Sequence, residues 1–238
     1  KYPNLKAVPI PVALALFNAE TGEQYTLHSA DLFVNEVKDG VYLFDQEEAT
    51  IEFTGVAAQP VASLLRNFSA PVNLVFDYSD DDLAFLIQHE TNGFNQWQAT
   101  QTLLERILLE DHQVDIYIQA IKNTLPELVN KDPLLASRLF DVPSENYLGS
   151  RIDQDYAPEL IREKREAVLD RLACDLGSFW KETYLSLDPD LQKEFSLAMG
   201  VRSLKNITLN MLARLGDESA FDLAFAQFQQ TRNMSERL

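Results

Sequence analysis

The sequence predicts an α+β chain of two modules: a small antiparallel β-sandwich over residues 1–77 and an all-α, solenoid-like array over residues 78–238. Two observations carry this. Before Tyr78, apolar residues such as Val72, Leu74 and Phe76 fall at a spacing of two, and β-branched side chains are frequent. After it the period is helical, with Leu83, Leu86, Ile87 and Glu90 three and four residues apart on one stripe. The stretch Leu64–Trp97, where the period changes, is the pivot of the chain.

In the first module, strands are expected at Val12–Phe17, Tyr25–Leu27, Leu32–Val34, Val41–Phe44, Ile51–Phe53, Val61–Leu65 and Val72–Phe76. Turn signals separate them: Asn18 to Gly22, Lys38-Asp39-Gly40, and the prolines Pro60 and Pro71. A module of under about 80 residues without a disulfide has a marginal core, so it is expected to lean on neighbours.

In the second module, helices are expected at about 80–90, 94–110, 113–125, 132–140, 144–150, 157–186, 190–215 and 218–231. Asp80 to Asp82 place carboxylates at a helix start, where they cap free N–H groups and meet the positive end of the dipole. Asn92 and Gly93 break the first helix, and Phe94, Trp97, Gln101 and Leu104 open the next. Asp132-Pro133 and Ala157-Pro158 put proline near helix starts, Ser144-Glu145 offers a cap, and Gly216-Asp217 ends one helix and begins another. Leu160, Ile161, Lys164, Val168, Arg171, Leu172 and Leu176 share a face of mixed apolar and basic character. Successive helix pairs of this kind resemble an α-solenoid.

Composition narrows the function classes. Hydrophobic residues make up 46% and charged residues 24%, as in an ordinary globular chain. No apolar run reaches the roughly 18 residues that span a bilayer, so no membrane partner is expected. A net charge of −17 argues against nucleic acid, which needs clustered Lys and Arg. Cys174 is alone and is expected to be a packed structural thiol, and a chain without a disulfide fits a reducing, cytoplasmic compartment. The first residue is Lys1 with no signal peptide after it, and Asn233-Met234-Ser235-Glu236-Arg237 reads as a helix entry without a body. The chain is therefore expected to be a piece of a longer protein, truncated at both ends.

Candidate chemistry fails test by test. His89-Glu90 begins like H-E-x-x-H, yet position 93 is glycine, and His28, His89 and His112 are widely separated. Asp80 to Asp82 lack the glycine and closing glutamate of a calcium loop. Glu47-Glu48 and Asp153 with Asp155 are carboxylate pairs of a kind expected by chance among 37 acidic residues. Asn67-Phe68-Ser69, Asn206-Ile207-Thr208 and Asn233-Met234-Ser235 match a glycosylation acceptor, which matters only in a secreted protein. Trp97 and Trp180, with Phe94 and Phe179, sit on apolar helix stripes and read as core. No phosphate loop or nucleophile elbow is present. The residues thus nominate no catalytic, cofactor-binding or metal-binding position.

Three stretches nevertheless resemble the later part of the bacterial aminopeptidase N family, zinc-dependent gluzincin exopeptidases in their proteobacterial form. The first is Gln59-Pro60-Val61, Leu64-Leu65-Arg66-Asn67-Phe68-Ser69-Ala70-Pro71-Val72, Phe85-Leu86 and Phe94-Asn95-Gln96-Trp97. The second is Val142-Pro143-Ser144-Glu145-Asn146-Tyr147 with Ile152-Asp153 and the long helix after Pro158. The third is Arg202-Ser203-Leu204-Lys205-Asn206, Leu209, Leu212 and Asn233-Met234-Ser235-Glu236-Arg237. The resemblance implies that the sandwich is Ig-like and follows a catalytic domain, and that the helices begin a domain that walls the chamber and limits access to the zinc site. It implies a parent that removes single residues from peptide amino termini, with two histidines and a glutamate on zinc. None of those positions matches here, so this chain alone is expected to be inactive and to bind no zinc. Its implied partners are the catalytic domain and the further C-terminal helices of the same chain, and peptides in the parent. The competing expectation is an independent protein-binding scaffold without enzymatic role.

Overall fold

The structure, a computed structural model, describes residues 8–27, 37–56, 58–152, 157–188, 192, 194–231 and 233–234. Its packing divides the chain into two compact units, residues 1–99 and 100–238.

In the first unit the described strands are β1 (Ile10–Asn18), β2 (Val37–Lys38), β3 (Val41–Phe44) and β4 (Pro60–Leu64), in the order β2-β3-β1-β4 and all antiparallel. β1 changes partner along its length. Ile10 to Ala13 pair with β3, while Leu14 to Asn18 pair with β4. Leu14, Val37 and Tyr42 form a small core on which Val12, Phe44, Ile51, Phe53 and Leu64 pack. Two expected strands, Tyr25–Leu27 and Ile51–Phe53, are not strands. Gln24 makes a single bridge to Phe17 and Tyr25 N–H donates to the Leu16 carbonyl, whereas Ile51 and Phe53 contribute side chains without a ladder. Among the described residues the expected strand Val72–Phe76 also lacks a ladder, and its side chains are exposed, Val75 at 96%. Leu32–Val34 lies outside the described residues.

The first helix, α1 (Asp80–His89), begins in a full capping box: Ser79 accepts from Asp82 N–H, and the Asp82 carboxylate accepts from Ser79 N–H at 2.9 Å. Its stripe of Leu83, Ala84, Leu86 and Ile87 is buried. α2 (Gly93–Leu109) follows, and the Gln96 side chain donates to the Ile87 carbonyl at 2.6 Å.

The second unit holds α3 (Val114–Lys131), α4 (Pro133–Arg138), α5 (Glu145–Ser150), α6 (Pro158–Asp175), α7 (Gly177–Ser186), α8 (Phe195–Arg214) and α9 (Glu218–Gln230). α3 runs past the expected stop at 125 because buried Leu125 and Leu128 continue its apolar stripe across Pro126. The expected single helix 157–186 is two. Leu176 leaves the helical region, glycine follows, and buried Trp180 turns back to donate its indole N–H to the Ala173 carbonyl at 3.1 Å. α8 is the hub, packing on α4, α6, α7 and α9. Gly200 makes the α4 contact possible: a Cβ there would lie 2.7 Å from the Leu134 backbone nitrogen. Gly216, at φ 69°, closes α8, and the Asp217 carboxylate caps α9 through Ser219 N–H. On α6, Ile161, Val168 and Leu172 face inward, Leu160 is exposed, and the basic members of that face pair with carboxylates: Lys164 with Asp111, and Arg171 with Asp115 and Asp175.

Candidate functional site

The most unusual chemistry among the described residues lies in the pivot stretch, within the first unit. β4 ends at Leu64, and the chain then turns through Leu65, Asn67 and Phe68, all left-handed at φ of 53°, 55° and 53°. Non-glycine residues rarely occupy that region, and each costs of the order of 1 kcal/mol or more. Several contacts hold the turn. The Ser69 hydroxyl accepts from Ala13 N–H at 3.0 Å, where β1 changes partner. The Asn67 and Asn92 amides bond each other, and the Phe68 ring meets Phe94 edge-on at 5.6 Å.

Arg66, inside the turn, reaches Glu90 just past α1. Its Nη2 donates to Glu90 Oε1 at 2.7 Å and to the Thr91 hydroxyl at 2.7 Å. The Glu90 side chain is wholly buried and that of Arg66 is 17% exposed, so this is an interior ion pair. Asn92 N–H adds a bond of 2.7 Å to the same carboxylate oxygen, and the Thr91 hydroxyl donates to Gln24. Asn95 donates from Nδ2 to the Ser63 hydroxyl at 2.9 Å and the Leu64 carbonyl at 2.8 Å. Glu90 Oε2, Arg66 Nε and Asn95 Oδ1 are buried without a partner among the described residues. Burial, with smaller repulsion from Glu90 and Asp82, pushes the Tyr78 phenol up to about 12, against the Leu64 backbone, which lowers it. A guanidinium and a carboxylate bonded to each other in the interior hold backbone in place; they do not present a nucleophile. The cluster is a clasp joining the sheet, the strained turn and two helices.

The sequence does signal this clasp, since Glu90 shares a stripe with Leu83, Leu86 and Ile87, and a carboxylate on a buried stripe needs a cation. The other candidates are scattered. His89 is exposed on the Phe85 ring at 4.5 Å and beside Gly22, and partial burial holds its imidazole below the ordinary 6.5. His112 lies 3.4 Å from Glu110. Glu47 and Glu48 are exposed, while His28, Asp153 and Asp155 lie outside the described residues. Among the described residues, no three His, Cys, Asp or Glu side chains gather as metal ligands. Cys174 departs from expectation: it is exposed, because its neighbours Leu172 and Ala173 take the buried side of α6. It borders a shallow cleft with Lys122 and Ser178. Trp180 is fully buried against Phe140 and Phe179, whereas Trp97 is half-buried. No helix in the described residues is long and apolar enough to cross a membrane.

Together, an antiparallel sheet unit clasped to its first helices and a following helical array define an Ig-like module joined to an ARM-type repeat domain. Two family models match in that order, an Ig-like domain of unknown function (DUF3458) over residues 1–77 and its ARM-repeat companion (DUF3458_C) over residues 80–238, and the chain belongs to this family. It is similar to aminopeptidase N of Escherichia coli (strain K12), 31% identical across 96% of this chain and 27% of the relative. Aminopeptidase N of Caulobacter vibrioides is 29% identical across 83% and 24%, and that of Haemophilus influenzae 25% across 96% and 26%. The crystal structure of Legionella pneumophila aminopeptidase A in complex with aspartic acid matches with a TM-score of 0.73 and 25% identity, covering 98% of this chain and 28% of that one. The resemblance to the aminopeptidase N family therefore holds, and the chain spans about a quarter of the length of the curated relatives it matches.

Proposed function

We propose that this chain is a non-catalytic part of a zinc aminopeptidase that releases single amino-terminal residues from peptides, with the Ig-like module (residues 1–77) as spacer and the helical module (78–238) as a wall limiting access to the zinc site. The observation that carries this is the alignment of 96% of the chain with only 27% of an aminopeptidase N. The resident groups suit a scaffold: a buried clasp, capped helices and neutralised basic residues. Zinc, its ligands and the general base belong, on this reading, to the rest of the polypeptide, and a lone Cys174 accords with a cytoplasmic site of action.

The test is hydrolysis of an alanyl anilide by this chain and by the full-length protein, with zinc content measured in parallel. Turnover and stoichiometric zinc are expected in the full-length protein only. Zinc-dependent turnover by the 238-residue chain, or a full-length protein without aminopeptidase activity, would overturn the proposal.

A further inference from the structure

Asn92-Gly93, between the end of α1 and the body of α2, is the single Asn-Gly step in the sequence. Such a step is prone to lose its side-chain amide, because glycine leaves its nitrogen unshielded and the backbone free to bring that nitrogen to the carboxamide carbon. The Gly93 N–H stands in the first turn of α2, where the helix offers it no carbonyl. Around it the fold ties the carboxamide at both ends. Asn92 Oδ1 accepts from Asn95 N–H at 3.2 Å and from Asn67 N–H at 3.4 Å, and Nδ2 donates to Asn67 Oδ1. The Asn92 N–H rests on Glu90 Oε1 at 2.7 Å, the oxygen that Arg66 also holds. Asn92 is half-buried and Asn67 exposed, so water is at hand when these bonds part.

Ring closure requires the carboxamide to leave its partners together, which is a local opening of the clasp. We propose that Asn92 is a deamidation site gated by that clasp. While the clasp is closed the amide is kept. Once it opens, the Gly93 nitrogen attacks Asn92 Cγ and passes its proton through solvent to the departing amide. The N–Cγ bond forms, the Cγ–Nδ2 bond breaks, and ammonia leaves behind a five-membered imide. One water then opens either C–N bond of the imide, giving an aspartate at position 92 or its isoaspartate isomer. The surroundings favour occasional opening: Asn67 is left-handed at φ 55°, and Arg66 Nε and Glu90 Oε2 are buried without a partner among the described residues. Reclosure is poorer afterwards, because a carboxylate has no N–H for Asn67 Oδ1 and lies close to the carboxylate of Glu90. The lost ammonia makes the change one-way, so the modified residue records that the clasp has opened.

The test is peptide mapping by mass spectrometry, following aspartate and isoaspartate at position 92 during incubation at mildly alkaline pH. Three samples are compared: the 238-residue chain, its Asn67→Gly variant, and a synthetic peptide of residues 88–98 that has the step without the fold. Asn67→Gly removes the carboxamide partner while suiting the left-handed backbone at that position, so the variant keeps its fold, which circular dichroism checks. The gate predicts deamidation about tenfold or more slower in the folded chain than in the peptide, since reaction proceeds only from the open fraction. Loss of the one hydrogen bond in the variant should raise the folded-chain rate by about twofold to tenfold. A smaller separation between chain and peptide would overturn the proposal, and so would a folded Asn67→Gly variant that reacts at the wild-type rate. Isoaspartate among the products is expected from the imide; aspartate alone would overturn the proposed route.

Discussion

Replacing Arg66 by Met leaves the Glu90 carboxylate, fully buried, with only Asn92 N–H on Oε1 and nothing on Oε2 among the described residues. Breaking one side of a buried ion pair costs about 3–5 kcal/mol, since the survivor stays desolvated without its counter-charge. The three left-handed residues beside Arg66 make relaxation an easy response, because the turn sheds strain once Arg66 no longer ties it to the end of α1. Glu90→Gln keeps the shape and an acceptor for Arg66 and should cost less, about 1–3 kcal/mol. Arg66→Met combined with Glu90→Leu removes both charges and should recover much of the loss. Trp97 and Trp180 are the two tryptophans, one in each unit, so urea unfolding read by fluorescence in a Trp180→Phe background follows the first unit through Trp97. With a slope of about 2 kcal/mol/M, a 4 kcal/mol loss moves the midpoint down by about 2 M. The reasoning is refuted if Arg66→Met costs less than about 1 kcal/mol, or if the double variant equals the sum of its singles within about 0.5 kcal/mol.

The remaining predictions concern single contacts. Gly200→Ala drives a Cβ to 2.7 Å from the Leu134 backbone nitrogen, so α4 and α8 must separate, and a loss of about 1–3 kcal/mol is expected in unfolding followed by Trp180; an unchanged midpoint would mean the two helices are not held that closely. Ser79→Ala removes one half of the capping box and should cost about 1 kcal/mol in the Trp97-reported transition, with Ser79→Asp retaining most of it. His89 has its pKa lowered from 6.5 in the folded chain, so between the two values the unfolded chain binds more protons and stability rises with pH. The stability is complete above 6.5 and is lost as pH falls through the window beneath it. His89→Phe should flatten this part of the stability profile of the first unit, and identical slopes in variant and wild type would rule the coupling out.

What was legible in the sequence was whatever needs only local information. Asp80 to Asp82 marked a helix start, and the Ser79–Asp82 box is there; Leu83, Leu86 and Ile87 marked a buried face, and all are buried. Gly216-Asp217 marked a boundary, and one residue closes α8 while the other caps α9. The break at Leu176 was not legible, because it depends on Trp180 returning to the Ala173 carbonyl, a contact invisible to periodicity. The clasp was half legible. Glu90 announced itself by position, but Arg66 lies 24 residues away within a turn whose left-handed residues are Leu, Asn and Phe rather than glycine, so no turn signature pointed to it.

Val72–Phe76 and α9 extend this distinction from method to function. A spacing of two states that the faces of a strand differ in environment; it does not supply the neighbouring strand, and among the described residues Val72, Leu74, Val75 and Phe76 have strand chemistry without a ladder. The α9 helix likewise has an amphipathic pattern in which the Ala220 and Gln227 side packs inward while Phe221 and Phe225 are exposed. Exposed apolar residues scattered singly are ordinary on any surface, but runs of three or four on one segment are not. In both units, then, sequence pattern and exposure disagree at these two segments and agree at Ser79, Gly216 and Leu83. On the proposed reading that disagreement reflects surroundings larger than these residues, in line with relatives in which some three-quarters of the polypeptide lies outside the aligned part.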